Sequence, residues 1–173
     1  NIGPNKDTLD KANDYIECFK IFHEVADYVT INISSPNTAN LRNFHDQVKL
    51  EELLKLVYEE KGKLNSKIPL AVKISPDIDD QEIEKISDVL INYKIDAIIV
   101  SNTSDSSRDN LKNIQSHQKG GLSGKPLELK STKLISKFYK ILNKKIKIIG
   151  VGGVDSGKSA YEKFLAGADY IQL

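Results

Sequence analysis

The sequence predicts an α/β chain in which a parallel β-sheet is covered by helices, either an open doubly wound sheet or a (β/α)8 barrel. Three observations predict it. Short β-branched runs alternate with amphipathic helical segments along all 173 residues. The short runs are apolar on both faces, as strands buried in a parallel sheet are. A glycine-rich turn of phosphate-binding character falls late, in "GVGGVDSG" at 150–157. That position favours the barrel, because barrels hold phosphate after their seventh and eighth strands, whereas nucleotide hydrolases carry such a loop after an early strand.

The elements follow in order. Residues 10–26 place Ala12, Tyr15, Ile16, Phe19, Phe22, Val25 and Ala26 on one helical face. "YVTINIS" (28–34) reads as a buried strand ended by Ser-Pro-Asn. Residues 48–61 form a helix with Leu50, Leu53, Leu54 and Val57 inward, and 69–75 a strand. Asp79 or Asp80 caps a helix over 81–93 that buries Ile83, Ile86, Leu90 and Tyr93. A strand at 96–102 opens a long loop containing "GGLSGKPL" (120–127), followed by a helix at 131–142 and a strand at 146–151. Ser156 can cap the next helix and Gly167 can end it, before a last strand begins in "ADYIQL". The chain starts without methionine and stops inside a strand, so a piece of a longer protein is expected.

Composition excludes several classes. A net charge of +1, with lysines scattered among acids, gives neither a nucleic-acid groove nor a polybasic membrane patch. No apolar run approaches the roughly 18 residues of a spanning helix. Cys18 is the single cysteine, so no internal disulfide or thiolate metal site is possible, and it reads as a small packed hydrophobe. His23, His45 and His117 share no ligand spacing and read as surface residues, which argues against a metal site.

In either fold the chemistry belongs at the C-terminal strand ends. Those ends carry "NISSPNT" (32–38), Lys73, "SNTS" (101–104) and "GVGGVDSG" (150–157). The set is rich in amides, hydroxyls and glycines and poor in the carboxylates and histidines of a general acid–base hydrolase. An amide-lined site suits a planar heterocycle with carbonyl and N–H edges, and glycines let backbone N–H groups approach a phosphate. Each residue also has a plainer explanation. Asn32 could bond the backbone within its strand, Lys73 could face outward, Asn102 and Thr103 could begin a turn, and Ser-Pro-Asn could only start a loop. The argument for a site is that all of them fall at one end of successive strands. "GGVDSGKS" (152–159) also spells G-x-x-x-x-G-K-[ST], the nucleotide-hydrolase loop. No later Asp-ended apolar strand is there to hold magnesium, so the match is read as accidental.

In order and spacing, "NIGPNKDT", "INISSPNT…LR", "AVKISPD", "SNTS", "GGLSGKPL", "STKLI" and "IIGVGGVDSG" resemble the class 2 dihydroorotate dehydrogenases over essentially the whole chain. The resemblance implies that residues 1–173 are part of one FMN-binding (β/α)8 barrel, from the end of its third strand at Asn1 into its eighth. It implies oxidation of dihydroorotate to orotate in pyrimidine synthesis, with electrons passed to a membrane quinone. Ser35 stands at the place of the catalytic base that takes the C5 proton, while the C6 hydride goes to flavin N5. Class 1 enzymes carry Cys there, so "SSPN" implies class 2. Asn32, Asn37, Asn102 and Thr103 match residues that bond the pyrimidine and its carboxylate. Asn1, Asn32, Lys73 and Ser101 match flavin contacts, and Gly124 and Gly153 match backbone donors near the FMN phosphate.

Partners implied by the resemblance are dihydroorotate, orotate and a quinone, with no nucleic acid. Membrane contact is implied only through an N-terminal extension absent from this chain. The implied location is the cytoplasmic face of a bacterial membrane or, alternatively, the mitochondrial inner membrane. The chain departs from the pattern at Asn40, usually Gly, and at Phe44, His45 and Asp46, in a segment that forms the family's lid. Alternatives are a non-catalytic flavin-binding barrel fragment, a class 1 enzyme, or another FMN barrel oxidoreductase such as a tRNA dihydrouridine synthase. Ser35 and the three asparagines count against the first. The last would need a Cys acid and a basic RNA surface. This piece alone is expected to be inactive.

Overall fold

The computed structural model describes residues 1–36, 41–106, 108 and 111–173. Strands β1 (Val29–Asn32), β2 (Leu70–Lys73), β3 (Ala97–Val100), β4 (Lys147–Gly150) and β5 (Tyr170–Ile171) form one sheet in the order β1-β2-β3-β4-β5. Every pairing is parallel. The strand order follows the chain without reversal. A doubly wound sheet reverses at a switch point, whereas a barrel does not, so the chain forms part of a (β/α)8 barrel. Ile2 bridges Ile31 in parallel along the edge of β1 away from β2, as the end of a preceding strand would.

The crossovers are made by α1 (Lys11–Phe22), α2 (Gln47–Lys63), α3 (Asp80–Asn92), α4 (Lys125–Leu142) and α5 (Gly157–Leu165). Alternation along the strands decides what each face does. Val29, Ile31, Leu70, Val72, Ile98, Val100 and Ile148 join the core built with the helices. The intervening residues, among them Asn32, Ala71, Lys73 and Ile99, take the opposite face, which is the interior side of a barrel. Leu50, Leu53, Leu54 and Val57 of α2 and Ile83, Ile86 and Leu90 of α3 are buried as the helical period requires. Asp79 and Glu82 close a reciprocal capping box on α3. Cys18 packs half-buried against the core.

Three expectations are corrected. The first helix ends at Phe22, before the turn that would have carried Val25 inward, so Phe22 and Val25 are 46% and 79% exposed. Helix α4 starts at Lys125 instead of 131, because Pro126 suits a first helical turn and Leu127 is already buried against the core side. His45 is buried rather than superficial. It closes a short 3-10 turn (Leu41–His45) against the β2 end.

Candidate active site

The strand ends converge through side chains. Asn32 closes β1 and stands in register with Lys73 of β2. The Asn32 Oδ1 accepts from the Ser34 hydroxyl at 2.8 Å and from Asn102 Nδ2 at 3.3 Å. Asn102 Nδ2 also donates to Ser34 Oγ at 3.0 Å, so the ends of β1 and β3 are joined by an amide–hydroxyl cluster. The Asn32 backbone is held from below by the Tyr15 hydroxyl, which donates to its carbonyl at 2.7 Å. Asn102 Oδ1 accepts the Thr103 N–H at 2.8 Å, and the Ser101 hydroxyl donates to the Asn102 carbonyl at 3.2 Å.

The two serines of "NISSPN" differ. Ser34 is completely buried, with its hydroxyl engaged between Asn32 and Asn102. Ser35 is half-buried. Next to it, Pro36 lies against Gly121, where a Cβ would stand 3.3 Å from Pro36 Cγ and 1.8 Å from Thr103 Oγ1. Only a residue without a side chain fits at Gly121. The "GGLSG" segment is brought over the site by paired backbone bonds between Ser104 and Leu122.

Lys73 is half-buried on the interior face. Burial lowers its pKa from the ordinary lysine value. Among the described residues it forms no ion pair. Its place on the interior face answers the outward-facing alternative, since the outward positions of β2 are the helix-packed Leu70 and Val72.

The glycine turn after β4 divides in two. Gly152 and Gly153 adopt φ of +108 and +70, the left-handed region that favours glycine. A Cβ at Gly153 would stand 2.7 Å from Glu128 Cα in the first turns of α4. Helix α4 is entered through Gly124, at φ +75, without a side-chain cap, and open space lies beside it. This bare helix start against a bare glycine turn fits a phosphate group. The second half of the turn is closed on itself. Ser156 Oγ accepts the Ser159 N–H at 3.2 Å, and Ser159 Oγ accepts the N–H groups of Asp155 and Ser156 at 3.0 Å. Three of the backbone donors that a nucleotide-hydrolase loop would turn to its phosphates, those of Asp155, Ser156 and Ser159, are taken, and Lys158 is exposed.

Two buried groups were not legible as such. Lys163 of α5 is buried and donates to Ser131 Oγ and Thr132 Oγ1 at 3.1 Å, which ties α5 to α4 beneath the glycine turn. Burial lowers its pKa. His45 Nε2 accepts the Ser75 N–H at 3.2 Å, so its Nδ1 carries the proton and bonds the Arg42 carbonyl at 3.0 Å. Burial brings its pKa down to about 4. The segment that departs from the family pattern is thus accounted for: His45 anchors to the β2 end, Phe44 packs edge-on to Tyr15 at 6.0 Å, and Asp46 caps α2. Asn1 is exposed beside the bridged Ile2, with no hydrogen bond to the other candidates among the described residues. Asn37 and Asn40 lie outside the described residues.

Consecutive parallel strands with their polar residues gathered at the C-terminal ends define a (β/α)8-barrel protein whose site is built from its strand-end loops. The chain belongs to the dihydroorotate dehydrogenase family, whose family model matches residues 1–173. It is 47% identical to the dihydroorotate dehydrogenase (quinone) of Wigglesworthia glossinidia brevipalpis, covering 100% of this chain and 53% of that protein. It is 45% identical to the dihydroorotate dehydrogenase (quinone) of Buchnera aphidicola subsp. Schizaphis graminum, with the same coverage. A crystal structure of the Eimeria tenella enzyme in complex with ferulenol superposes with a TM-score of 0.95 at 35% identity, over 100% of this chain and 51% of that one. The chain spans about half the length of the curated relatives it matches. The family is flavin-dependent in general.

Proposed function

We propose that the protein containing this chain oxidises dihydroorotate to orotate, with FMN as its flavin and a membrane quinone as final electron acceptor. The observation that carries this is the amide–hydroxyl cluster of Asn32, Ser34 and Asn102 at the ends of β1 and β3, with the half-buried Ser35 next to it in the chain. Bound FMN supplies the hydride acceptor. Asn32, Asn102 and Thr103, with Asn37, offer the donors and acceptors that an imide ring with a carboxylate needs. Asn1, Asn32, Lys73 and Ser101 would hold the flavin ring, and the Lys73 ammonium would stabilise the negative charge that reduction places on it. Gly124 and Gly153 bring backbone donors to the phosphate.

Ser35 takes the C5 proton in this reading. A serine hydroxyl is a poor base, so it must pass its own proton to water or a neighbouring hydroxyl as it reacts. Relatives named for quinone support quinone as acceptor and a membrane-associated protein; the location that goes with this reading is the cytoplasmic face of a bacterial membrane or, alternatively, the mitochondrial inner membrane. No helix among the described residues is long and apolar enough to cross a membrane.

The test is stopped-flow reduction of the flavin in the full-length protein. Ser35→Ala is expected to slow bleaching by dihydroorotate by about 10²-fold, the usual size of a general-base contribution, and to leave reoxidation by quinone nearly unchanged. Ser35→Cys is expected to restore part of the rate, rising towards alkaline pH as the thiolate forms. Bleaching of Ser35→Ala at the wild-type rate would remove Ser35 from the chemistry.

A further inference from the structure

One carboxylate outside the candidate site joins three segments around it. Asp77 sits in the turn after β2, a few residues past Lys73, with its side chain 13% exposed. Its Oδ1 accepts the Ser104 hydroxyl at 2.6 Å and pairs with the Lys130 ammonium of α4. Its Oδ2 accepts the Asp105 N–H at 2.9 Å and lies 3.3 Å from Arg42 Nη2. Arg42 Nη1 in turn meets Asp105 Oδ1 at 2.5 Å. Lys130 also donates to Ser106 Oγ at 3.3 Å.

Two of its arms end close to candidate site residues. Arg42, on the third, lies in the 3-10 turn Leu41–His45. Ser104 and Asp105 directly follow Asn102 and Thr103. Lys130 lies in the first turns of the helix that Gly124 opens. Exposed ion pairs between long side chains contribute little and restrain little. This one differs: its centre is mostly buried, and its acceptor oxygens bond two neutral groups and the Lys130 ammonium while the Arg42 guanidinium lies 3.3 Å away as an ion pair. Burial alone would raise the Asp77 pKa, but the bonds from Lys130, Ser104 and the Asp105 backbone outweigh it and hold the carboxyl well below the usual range. The group stays ionised throughout the range in which the protein would work.

We propose that Asp77 is a positioning residue that fixes the Leu41–His45 turn, the Asn102–Thr103 segment and the start of α4 in one mutual geometry. The inference rests on the proposed dehydrogenase reading. Reacting groups must be held close to their productive positions, and misplacement from a distance can cost 10²-fold. A device that spans the substrate side of the site should therefore act on substrate oxidation more than on electron exit.

The experiment uses the full-length protein with its flavin. Asp77→Asn keeps the volume and an acceptor oxygen but removes the charge that gathers Arg42 and Lys130. It is expected to slow flavin reduction by dihydroorotate at least tenfold, to raise the KM for dihydroorotate, and to leave quinone reoxidation of the photoreduced flavin within twofold. Arg42→Gln is expected to act in the same direction, and the Arg42→Gln/Asp77→Asn double variant to be no slower than Asp77→Asn. Lys137→Ala, which removes the exposed Lys137–Asp80 pair on the far part of α4, is expected to change neither half-reaction. If Asp77→Asn does not fold, Arg42→Gln and Lys130→Gln each remove one arm and carry the same test. Hydrogen exchange at 41–45 and at Asp105 gives a readout without activity: protection should fall at both places together. A wild-type protein that takes up no flavin would defeat the dehydrogenase reading, with the exchange result still deciding the tie. Equal slowing of both half-reactions, or lost thermal stability with unchanged flavin reduction and unlinked exchange, would overturn the proposal.

Discussion

In the first half of the turn at 152–159, Gly152 and Gly153 lie in left-handed backbone against the start of α4, and no side chain caps that helix. In the second half, Asp155, Ser156 and Ser159 bond one another, and Ser156 and Ser159 close a capping box on α5. The letters of the turn spell a nucleotide-hydrolase loop across both halves, but the physical question is which backbone donors are left to receive a ligand. By that measure the helix in the motif, α5, is closed, and the helix outside it, α4, is open. A motif read from residue types alone cannot distinguish a donor presented to a ligand from one already satisfied by its neighbours.

The comparison breaks first at Gly153. Any side chain there meets Glu128 backbone at 2.7 Å and must also adopt φ +70. Neither the α4 backbone nor the turn can yield cheaply. Gly153→Ala is expected to lower stability by about 3 kcal/mol, combining overpacking with left-handed strain, and to weaken flavin binding at least tenfold. Denaturant titration and flavin release in the full-length protein measure the two effects. Normal flavin affinity in a folded Gly153→Ala protein would mean that the open half of the turn is not the phosphate site.

The closed half gives a smaller and purely structural effect. Ser156→Ala removes the cap of α5 and one wall of the Ser156–Ser159 pair. A lost N-cap costs about 1 kcal/mol. Flavin affinity should stay within twofold, because the proposed phosphate lies against α4. A stability loss accompanied by flavin loss would join the two halves into one site.

The contrast between the halves also shows what the sequence could disclose. The strand–helix alternation, the strand-end residues Asn32, Lys73 and Asn102, and the caps at Asp79 and Ser156 are local signals, and the structure carries them where the residue pattern puts them. The start of α4 was hidden because "GGLSGKPL" reads as a loop by its glycines, although Pro126 marks a first helical turn. Lys163 looks like any solvated lysine on an amphipathic helix, and only packing of α4 on α5 buries it. His45 and Asp77 are lost for the same reason. Their partners lie on segments far away in sequence, Ser75 for the first and Arg42, Ser104 and Lys130 for the second. Periodicity reports on one element at a time. A carboxylate that gathers three segments has no one-element signature.

The smallest expected effect is the sharpest separation of the two halves. Lys158 occupies the position that, in a nucleotide hydrolase, would contact β- and γ-phosphates and be indispensable. Here it is exposed in the first turn of α5, downstream of amides already bonded by Ser156 and Ser159. Removing a cation from a helix start is, if anything, mildly favourable for the helix, because the dipole there prefers negative charge. Lys158→Ala in the full-length protein is therefore expected to leave dihydroorotate turnover within about twofold and stability within about 0.5 kcal/mol, as for other exposed substitutions. The assay is steady-state turnover with quinone alongside a phosphate-release assay with magnesium and ATP or GTP. Abolished turnover in Lys158→Ala, or magnesium-dependent phosphate release by the wild type that the substitution removes, would reassign the ligand-binding role to the half of the turn that the hydrogen bonds close.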